Sequence, residues 1–310
     1  MLRHTFSRVL FIAAVCTLAC GPLAASAETL HIATTPIDVG AQVYYAQDMG
    51  FFKKAGLDVD IQTVSNGAAI ASAVASGAID IGQGNLLSIV TAYKKHFPFT
   101  IVAPAGRYSA QLPTSLLVVT LASPIHTAPD LNGKTVAING LRNILELGMS
   151  AWLDGNGGNV KSVHFVEMPF SQMEGALAAG RVDAAFIAEP SLTAARKSMR
   201  VIAAPYSSIA PQFLIGSWFT TTDWVKAHPD LARRFAGVMR ETARWANKNP
   251  AKSAAILAKY AKIPLGTLTM MARSTYSEHM NLGDIQPVID RAARYGFIDA
   301  PFPAAALIAR

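Results

Sequence analysis

Short apolar segments alternate with helical patterns along most of the chain, which is typical of an α/β protein. Residues 29–34 form an apolar run, and residues 57–64 alternate Leu, Val and Ile with Asp, Gln and Thr, so both are predicted strands. Residues 41–54 carry apolar side chains at helical spacing and predict a helix between them. From residue 223 onward the apolar positions recur three or four residues apart, which predicts a helical C-terminal part.

The pattern in the middle of the chain predicts further strands, two of which are interpreted as connections between two lobes. Residues 79–81 and 99–105 predict a third and a fourth strand, and G-Q-G-N at residues 82–85 is expected to open a helix. Residues 116–121 are interpreted as the strand that crosses into a second lobe. Residues 215–220 are interpreted as the strand that returns to the first lobe.

One pattern of small and apolar residues occurs twice. The sequence G-A-L-A-A-G-R-V-D at residues 175–183 resembles S-A-V-A-S-G-A-I-D at residues 72–80. Each copy predicts a helix that ends at a glycine, the residue that best accepts the left-handed conformation at a helix end. A strand is expected to follow at once.

The segments before each copy also repeat in the same order. Residues 31–34 correspond to residues 135–138, and residues 56–64 resemble residues 157–166. Chance similarity between Ala/Gly-rich helices would explain one shared segment but explains three poorly. We therefore predict a duplicated strand-helix-strand-helix-strand unit and two similar α/β lobes.

The first 27 residues have the features of a secretory signal peptide. Two arginines precede a short apolar run at residues 9–19, and A-S-A at residues 25–27 is a small-x-small cleavage site. We expect cleavage after Ala27 and export from the cytoplasm. A lipid anchor on Cys20 ranks second, because leucine in T-L-A-C stands one place too late for the usual pattern.

Composition narrows the possible functions of the mature chain. Both cysteines lie in the predicted leader, so no disulfide framework or thiol chemistry is expected after cleavage. Loss of Arg3 and Arg8 lowers the formal net charge from +7 to +5, and no basic run suggests a nucleic-acid partner. No later apolar stretch is long enough to predict a transmembrane helix.

Candidate ligand-binding residues follow the predicted strands at their carboxyl ends. Ligands of open α/β sheets bind outside these ends, where helix N-termini present backbone N–H groups and favour negative charge. At each position the alternative is an ordinary helix cap or turn. The candidates are Thr35, Asp38, Gln42, Asn66, Gly67, Ala68, Asn85, Asn139, Arg142 and Glu189.

The charged candidates leave two interpretations open. Asp38 and Glu189 would repel an anion but could accept from an amine or a ring N–H, or each could satisfy backbone donors at a helix start. Arg107 and Arg142 could clamp a carboxylate, sulfonate or phosphonate, or could be solvated surface side chains.

Motifs of catalysis are missing from the sequence. G-K-T at residues 133–135 lacks the first glycine of a phosphate loop, and no G-x-S-x-G nucleophile motif occurs. The seven histidines are scattered without metal-ligand spacing. We expect neither an enzyme nor a cofactor or a metal site.

Four motifs resemble the periplasmic solute-binding proteins of ABC importers in the nitrate/sulfonate/taurine class. They are G-F-F-K-K-A-G-L-D-V-D-I at residues 50–61, S-G-A-I-D-I-G at 76–82, D-L-N-G-K-T-V-A-I at 130–138 and G-R-V-D-A-A-F-I-A-E-P at 180–190. A mature chain without cysteine departs from the pyrimidine-precursor branch of relatives, whose motif is rich in cysteine.

The resemblance implies a bilobal type II periplasmic-binding-protein fold, with two α/β lobes joined by two crossing strands that close on a solute. Lobe 1 is expected at residues 28–115 plus 218–310, including a C-terminal helical extension, and lobe 2 at residues 116–217. The implied partners are a small anionic or zwitterionic solute, of sulfonate, taurine, nitrate or aromatic-acid type, and an ABC permease at the inner membrane. A monomer is expected, since one closing cleft needs no second copy. The alternatives are an enzyme on the same fold, for pyrimidine or cofactor biosynthesis, and a sensory receptor.

Overall fold

Strands and helices alternate in the computed structural model, which describes residues 29–64 and 67–309. The predicted signal peptide and Asn66 lie outside these residues and stay predictions. In chain order the elements are β1 (Thr29–Thr34), α1 (Gln42–Asp48), α2 (Phe51–Lys54), β2 (Asp58–Thr63), α3 (Gly67–Ser76), β3 (Ile81–Asn85), α4 (Leu86–Lys94), β4 (Phe99–Pro104), β5 (Gly106–Ser109), β6 (Ser115–Thr120), β7 (Thr135–Ile138), α5 (Ile144–Gly155), β8 (His164–Glu167), α6 (Phe170–Ala178), β9 (Ala184–Ala188), α7 (Ser191–Ala194), β10 (Met199–Ala203), β11 (Gln212–Leu214), β12 (Gly216–Thr221), α8 (Thr222–Ala227), α9 (Pro229–Lys248), α10 (Pro250–Ala261), α11 (Leu265–Met270), β13 (Thr275–Tyr276) and α12 (Gln286–Arg294).

Two five-stranded sheets form the centres of two lobes. The first has the order β2-β1-β3-β12-β4 and the second the order β10-β6-β9-β7-β8. In the first sheet β1 pairs in parallel with β2 and β3, and in the second β7 pairs in parallel with β8 and β9. The same arrangement therefore occurs twice, as the repeated sequence pattern predicts.

The repeated aspartate has the same structural role in both lobes. The Asp80 carboxylate accepts from the backbone N–H of His31 at 2.8 Å, and the Asp183 carboxylate accepts from that of Thr135 at 2.9 Å. The backbone N–H of each aspartate donates to the carbonyl of the same strand residue, at 2.9 Å. Each aspartate thus ties the start of the third strand of its unit to the first strand, which explains its place in the pattern.

The two lobes are joined by short strands that the sequence did not reveal. The crossing strand β5 and the returning strand β11 pair antiparallel, with β13 on the other side of β5. Residues 116–121, expected to cross, fall largely in β6 of the second sheet, and residues 215–220, expected to return, fall largely in β12 of the first. The lobe boundaries in sequence stay a prediction; the one at residue 218 lies inside β12.

Residues 82–85 continue β3 and do not open a helix, which corrects the prediction. They pair with β12, and α4 begins only at Leu86. Glycine is needed here because α3 packs close against the strand: a Cβ on Gly82 would lie 2.5 Å from Ile70 Cγ2. The predicted helix over residues 41–54 is likewise divided in two at Gly50, which has a φ of 71°.

Within the described residues, none of the helices is long and apolar enough to cross a membrane.

We predict opposite effects of alanine at two glycines. Gly82→Ala should lower the free energy of unfolding by about 1–3 kcal/mol, since overpacking shifts α3 away from β3. Gly237→Ala, inside α9 with no atom within 4 Å of the added Cβ, should raise it by about 0.5–1 kcal/mol. Urea unfolding measures both. A Gly82→Ala variant as stable as the wild type would contradict the proposed close packing.

Candidate functional site

Polar residues from both lobes approach one loop, residues 272–274. Asp38 follows β1 in the first lobe, and Glu189 follows β9 in the second. The backbone N–H of Ser274 donates to Asp38 at 2.5 Å, and that of Ala272 donates to Glu189 at 3.4 Å. The carboxyl ends of β1 and β9 therefore lie on either side of this loop, and together with it they frame the candidate site.

Asp38 is a buried charge whose partners come from distant parts of the chain. Its side chain is 3% exposed and pairs with Arg273, whose Nε and Nη2 lie 3.0 and 2.7 Å from Oδ1. The Tyr45 hydroxyl donates to the same oxygen at 3.3 Å. Burial, followed by the nearby Asp38 charge, raises the pKa of Tyr45, so this hydroxyl stays protonated and able to donate.

Glu189 is held by the helix that follows it. The backbone N–H and the hydroxyl of Thr193 donate to its two carboxylate oxygens, each at 2.9 Å. Burial raises the pKa of Glu189, and the hydrogen bonds from Thr193 oppose that effect. This geometry matches the interpretation of Glu189 as an acid that satisfies donors at a helix start; whether it also contacts a ligand stays a prediction.

Two asparagines cap the helices that begin at the carboxyl ends of β3 and β7. The Asn85 Oδ1 accepts from Ser88 N at 3.0 Å at the start of α4. Asn143, which the sequence did not single out, caps α5 and accepts from Leu145 N at 2.9 Å. Asn143 also donates to Asn139 Oδ1 at 2.7 Å, so the exposed Asn139 side chain is oriented by its neighbour.

The small and neutral candidates of the first lobe lie at its strand ends. The Thr35 hydroxyl contacts Gln83 Oε1 at 3.4 Å, which links the ends of β1 and β3. Gly67 and Ala68 begin α3, after the carboxyl end of β2. Together with Asn85, these residues occupy neighbouring strand ends of the first sheet.

Gln42 and Arg142 are engaged elsewhere. Gln42 is fully buried; its Oε1 accepts from Trp218 Nε1 at 2.9 Å and its Nε2 donates to the Met239 carbonyl at 3.4 Å. The Arg142 guanidinium donates to the Gly296 carbonyl at 2.9 Å. A ligand role for either side chain would require it to leave these contacts.

Arg273 and Ser274 contact Asp38, and the sequence did not single them out. They lie more than 230 positions from Asp38 and carry no local motif that points to it. Arg107, considered as an anion clamp, lies on the crossing strand β5 with Nη1 3.9 Å from Asp284. Across residues 29–64 and 67–309, no group of three or more His, Cys, Asp or Glu side chains could hold a metal ion.

Removing the cation beside Asp38 should destabilise the fold strongly. Arg273→Gln is expected to lower the free energy of unfolding by about 3–5 kcal/mol, because it leaves a buried carboxylate without its charge partner. Arg233→Gln, which breaks an exposed pair with Asp230, is the matched control and should change it by about 0.5 kcal/mol or less. Equal effects in urea unfolding would contradict this role of Arg273.

The raised pKa of Glu189 predicts a pH dependence of stability. The folded protein binds the Glu189 proton more tightly than the unfolded chain, so rising pH costs folded-state stability. The free energy of unfolding of the wild type should fall relative to that of Glu189→Gln between about pH 4 and pH 7. Glu241→Gln gives the reference for a solvent-exposed glutamate. If the free energy of unfolding of the wild type stays constant or rises with pH relative to that of Glu189→Gln, the buried environment of Glu189 is contradicted.

Similar proteins are found by sequence and by structure. A Brucella abortus (strain 2308) protein named as a binding protein is 25% identical over 236 residues, 74% of this chain and 70% of the relative. The formylaminopyrimidine-binding protein of Halalkalibacterium halodurans is 28% identical over 149 residues, which span 48% of this chain and 43% of the relative.

Three solved structures share the fold at low sequence identity. The periplasmic aliphatic sulphonate binding protein SsuA from Escherichia coli matches with a TM-score of 0.73, at 16% identity over 92% of this chain and 93% of its own. The periplasmic nitrate-binding protein NrtA from Synechocystis PCC 6803 has a TM-score of 0.76, at 14% identity over 92% and 86%. The desulfurization enzyme DSZB has a TM-score of 0.67, at 14% identity over 91% and 96%.

The bilobal fold with two crossing strands is therefore confirmed. The family model described as NMT1/THI5 like matches residues 39–253, more than half of the sequence, and the chain thus belongs to the NMT1/THI5-like family.

Proposed function

We propose that the protein is a periplasmic receptor that binds a small organic solute between its lobes and delivers it to an ABC importer. The observation that carries this proposal is the approach of strand ends from both lobes to the loop at residues 272–274. A solute held between these ends would touch both lobes and favour their closed arrangement, as in hinged binding proteins. The fold shared with SsuA and NrtA supports the same proposal.

The proposed ligand contacts lie at the strand ends of both lobes. They are Thr35, Gly67, Ala68 and Asn85 in the first lobe, and Asn139 in the second, with Asn66 as a contact outside the described residues. Asp38 and Glu189 then frame the site, because their carboxylates are already occupied by protein donors. Gln42 accepts a hydrogen bond from Trp218 inside the first lobe and does not contact the solute.

The electrostatics of the site support a small anionic or zwitterionic solute. Arg273 offsets the charge of Asp38, and burial raises the pKa of Glu189, which favours its neutral form, so each acid opposes an anion less than a free carboxylate would. Helices α4 and α5 both begin at strand ends of the site, which places the positive ends of their dipoles there. A sulfonate, taurine, nitrate or an aromatic acid fits this environment.

A neutral heterocycle is the second ligand class. The side-chain amides of Asn85 and Asn139 can both donate and accept hydrogen bonds, as recognition of a pyrimidine ring requires. The relative named as a formylaminopyrimidine-binding protein favours this class, although it aligns with less than half of the chain.

We further propose that the protein is located in the periplasm, is a monomer and has a permease of the inner membrane as its partner. These proposals rest on the predicted signal peptide and on the family. A sensory receptor would share the location and the fold, and would differ in docking onto a membrane kinase or chemoreceptor. The desulfurization enzyme DSZB has the same fold, so an enzyme is the remaining alternative.

Solute binding should appear as thermal stabilisation of the purified protein. The panel contains alkanesulfonates, taurine, nitrate, aromatic carboxylates and pyrimidines. A solute at a hundredfold excess over its Kd should raise the free energy of unfolding by about 2.7 kcal/mol. Native mass spectrometry of the complex then shows whether the bound solute is chemically unchanged.

A pair of matched variants locates the bound solute. Asn139→Ala should abolish the stabilisation, because Asn139 lies at the proposed site where α5 begins. Asn156→Ala, at the other end of α5, removes a similar exposed amide and should keep it. No stabilisation by any solute would contradict the receptor proposal, and a chemically altered solute would favour the enzyme.

A further inference from the structure

The last part of the chain, residues 282–309, links the two lobes at a place other than the crossing strands; we call it the C-terminal segment. Its end is fixed to β4 of the first sheet. Thr100 Oγ1 donates to the Leu307 carbonyl at 3.1 Å, and Ala309 N donates to the Ile101 carbonyl at 3.1 Å. This end of the segment therefore belongs to the first lobe.

The middle of the C-terminal segment is bound to α5 of the second lobe. One carboxylate oxygen of Asp154 accepts from both Arg294 Nη2 and the Tyr295 hydroxyl, each at 2.9 Å. Asp154 lies in the last turn of α5, and Arg294 is the last residue of α12. The contact therefore joins the C-terminal ends of two helices that belong to different lobes.

Arg142 makes a second contact between the same two regions. Its Nη2 donates to the carbonyls of Gly296 and Phe297 at 2.9 and 3.3 Å, and its guanidinium carbon lies 4.6 Å from the centre of the Phe297 ring. A cation is favourable here because these carbonyls follow the end of α12, where the helix dipole is negative. The segment before α5 is thus fastened to the end of α12.

The start of the C-terminal segment reaches the crossing strand. Asp284 lies 3.9 Å from Arg107 on β5; the Asp284 side chain is largely buried, and that of Arg107 is partly buried. Helix α12 begins two residues later and ends at the contacts with Asp154 and Arg142. One rigid helix therefore extends from the crossing strand to the second lobe, while the rest of its segment is fixed to the first.

We propose that the C-terminal segment is a strut that sets the separation of the two lobes, with Arg142 and Asp154 as its positioning residues. Separation of the lobes stretches these two contacts, because the other end of the segment is fixed to β4. Arg142 then controls lobe geometry and does not clamp a ligand. The effect of the strut on solute affinity rests on the proposed function, whereas the strut itself does not.

The test measures the distance between the lobes without any solute. Spin labels are attached at Lys53→Cys in the first lobe and Lys161→Cys in the second, in the chain from residue 28 onward, which has no native cysteine. Both label positions are exposed. Electron–electron double resonance should show a longer and broader distance distribution in Arg142→Ala/Asp154→Ala than in the labelled parent.

The control variant removes the same charges without touching the lobe contact. Arg233→Ala/Asp223→Ala breaks two exposed pairs, one inside α9 and one inside α8, and should leave the distances unchanged. A distribution in Arg142→Ala/Asp154→Ala that equals the parent's, in a protein that unfolds cooperatively, would overturn the strut.

A charge exchange separates lobe positioning from local stability. Asp154→Lys faces Arg294 with a like charge and should lengthen the distance between the labels relative to the parent, and Asp154→Lys/Arg294→Glu should bring it back toward that of the parent. Failure of this rescue would also count against the strut. Since no solute is present, a negative result leaves the receptor proposal standing, and failure of every solute to bind leaves the strut standing.

Discussion

The buried Asp38 carboxylate is the interaction on which the arrangement of the candidate site depends. An ionised group at 3% exposure is tolerated only with a charge partner and hydrogen-bond donors, and Arg273, Ser274 and Tyr45 supply them. This requirement fixes the loop at residues 272–274 against the end of β1. Because Ala272 of that loop donates to Glu189 at 3.4 Å, the same loop also contacts the second lobe.

The polar groups of the site are mostly used by the protein before any ligand enters. Glu189 satisfies the start of α7, and Asn85 and Asn143 satisfy the starts of α4 and α5. Such caps hold the strand ends in place, and they leave the positive ends of α4 and α5 beside neutral amides. A binding site for a small solute built in this way needs few free charges.

Local pattern explains which features could be predicted from the sequence. The bounds of β1 and β7 and the repeated glycine and aspartate follow from apolar runs and helix-end chemistry within about ten residues. The partner of Asp38 could not be predicted, because Arg273 approaches it only through the fold. The crossing strands β5 and β11 have only four and three residues, too few for a periodic pattern. Residues 82–85 were expected to start a helix because glycine usually breaks strands. Here Gly82 instead allows α3 to pack closely against the sheet.

In the proposed function, one solute is held between the two lobes, at the strand ends around Asn85 and Asn139. A crystal structure of the protein with the solute that stabilises it most tests this position of the solute most directly. We expect electron density for the solute in contact with both asparagines, with the Asp38–Arg273 pair intact beside it. A solute bound to one lobe alone, away from these strand ends, would contradict the account.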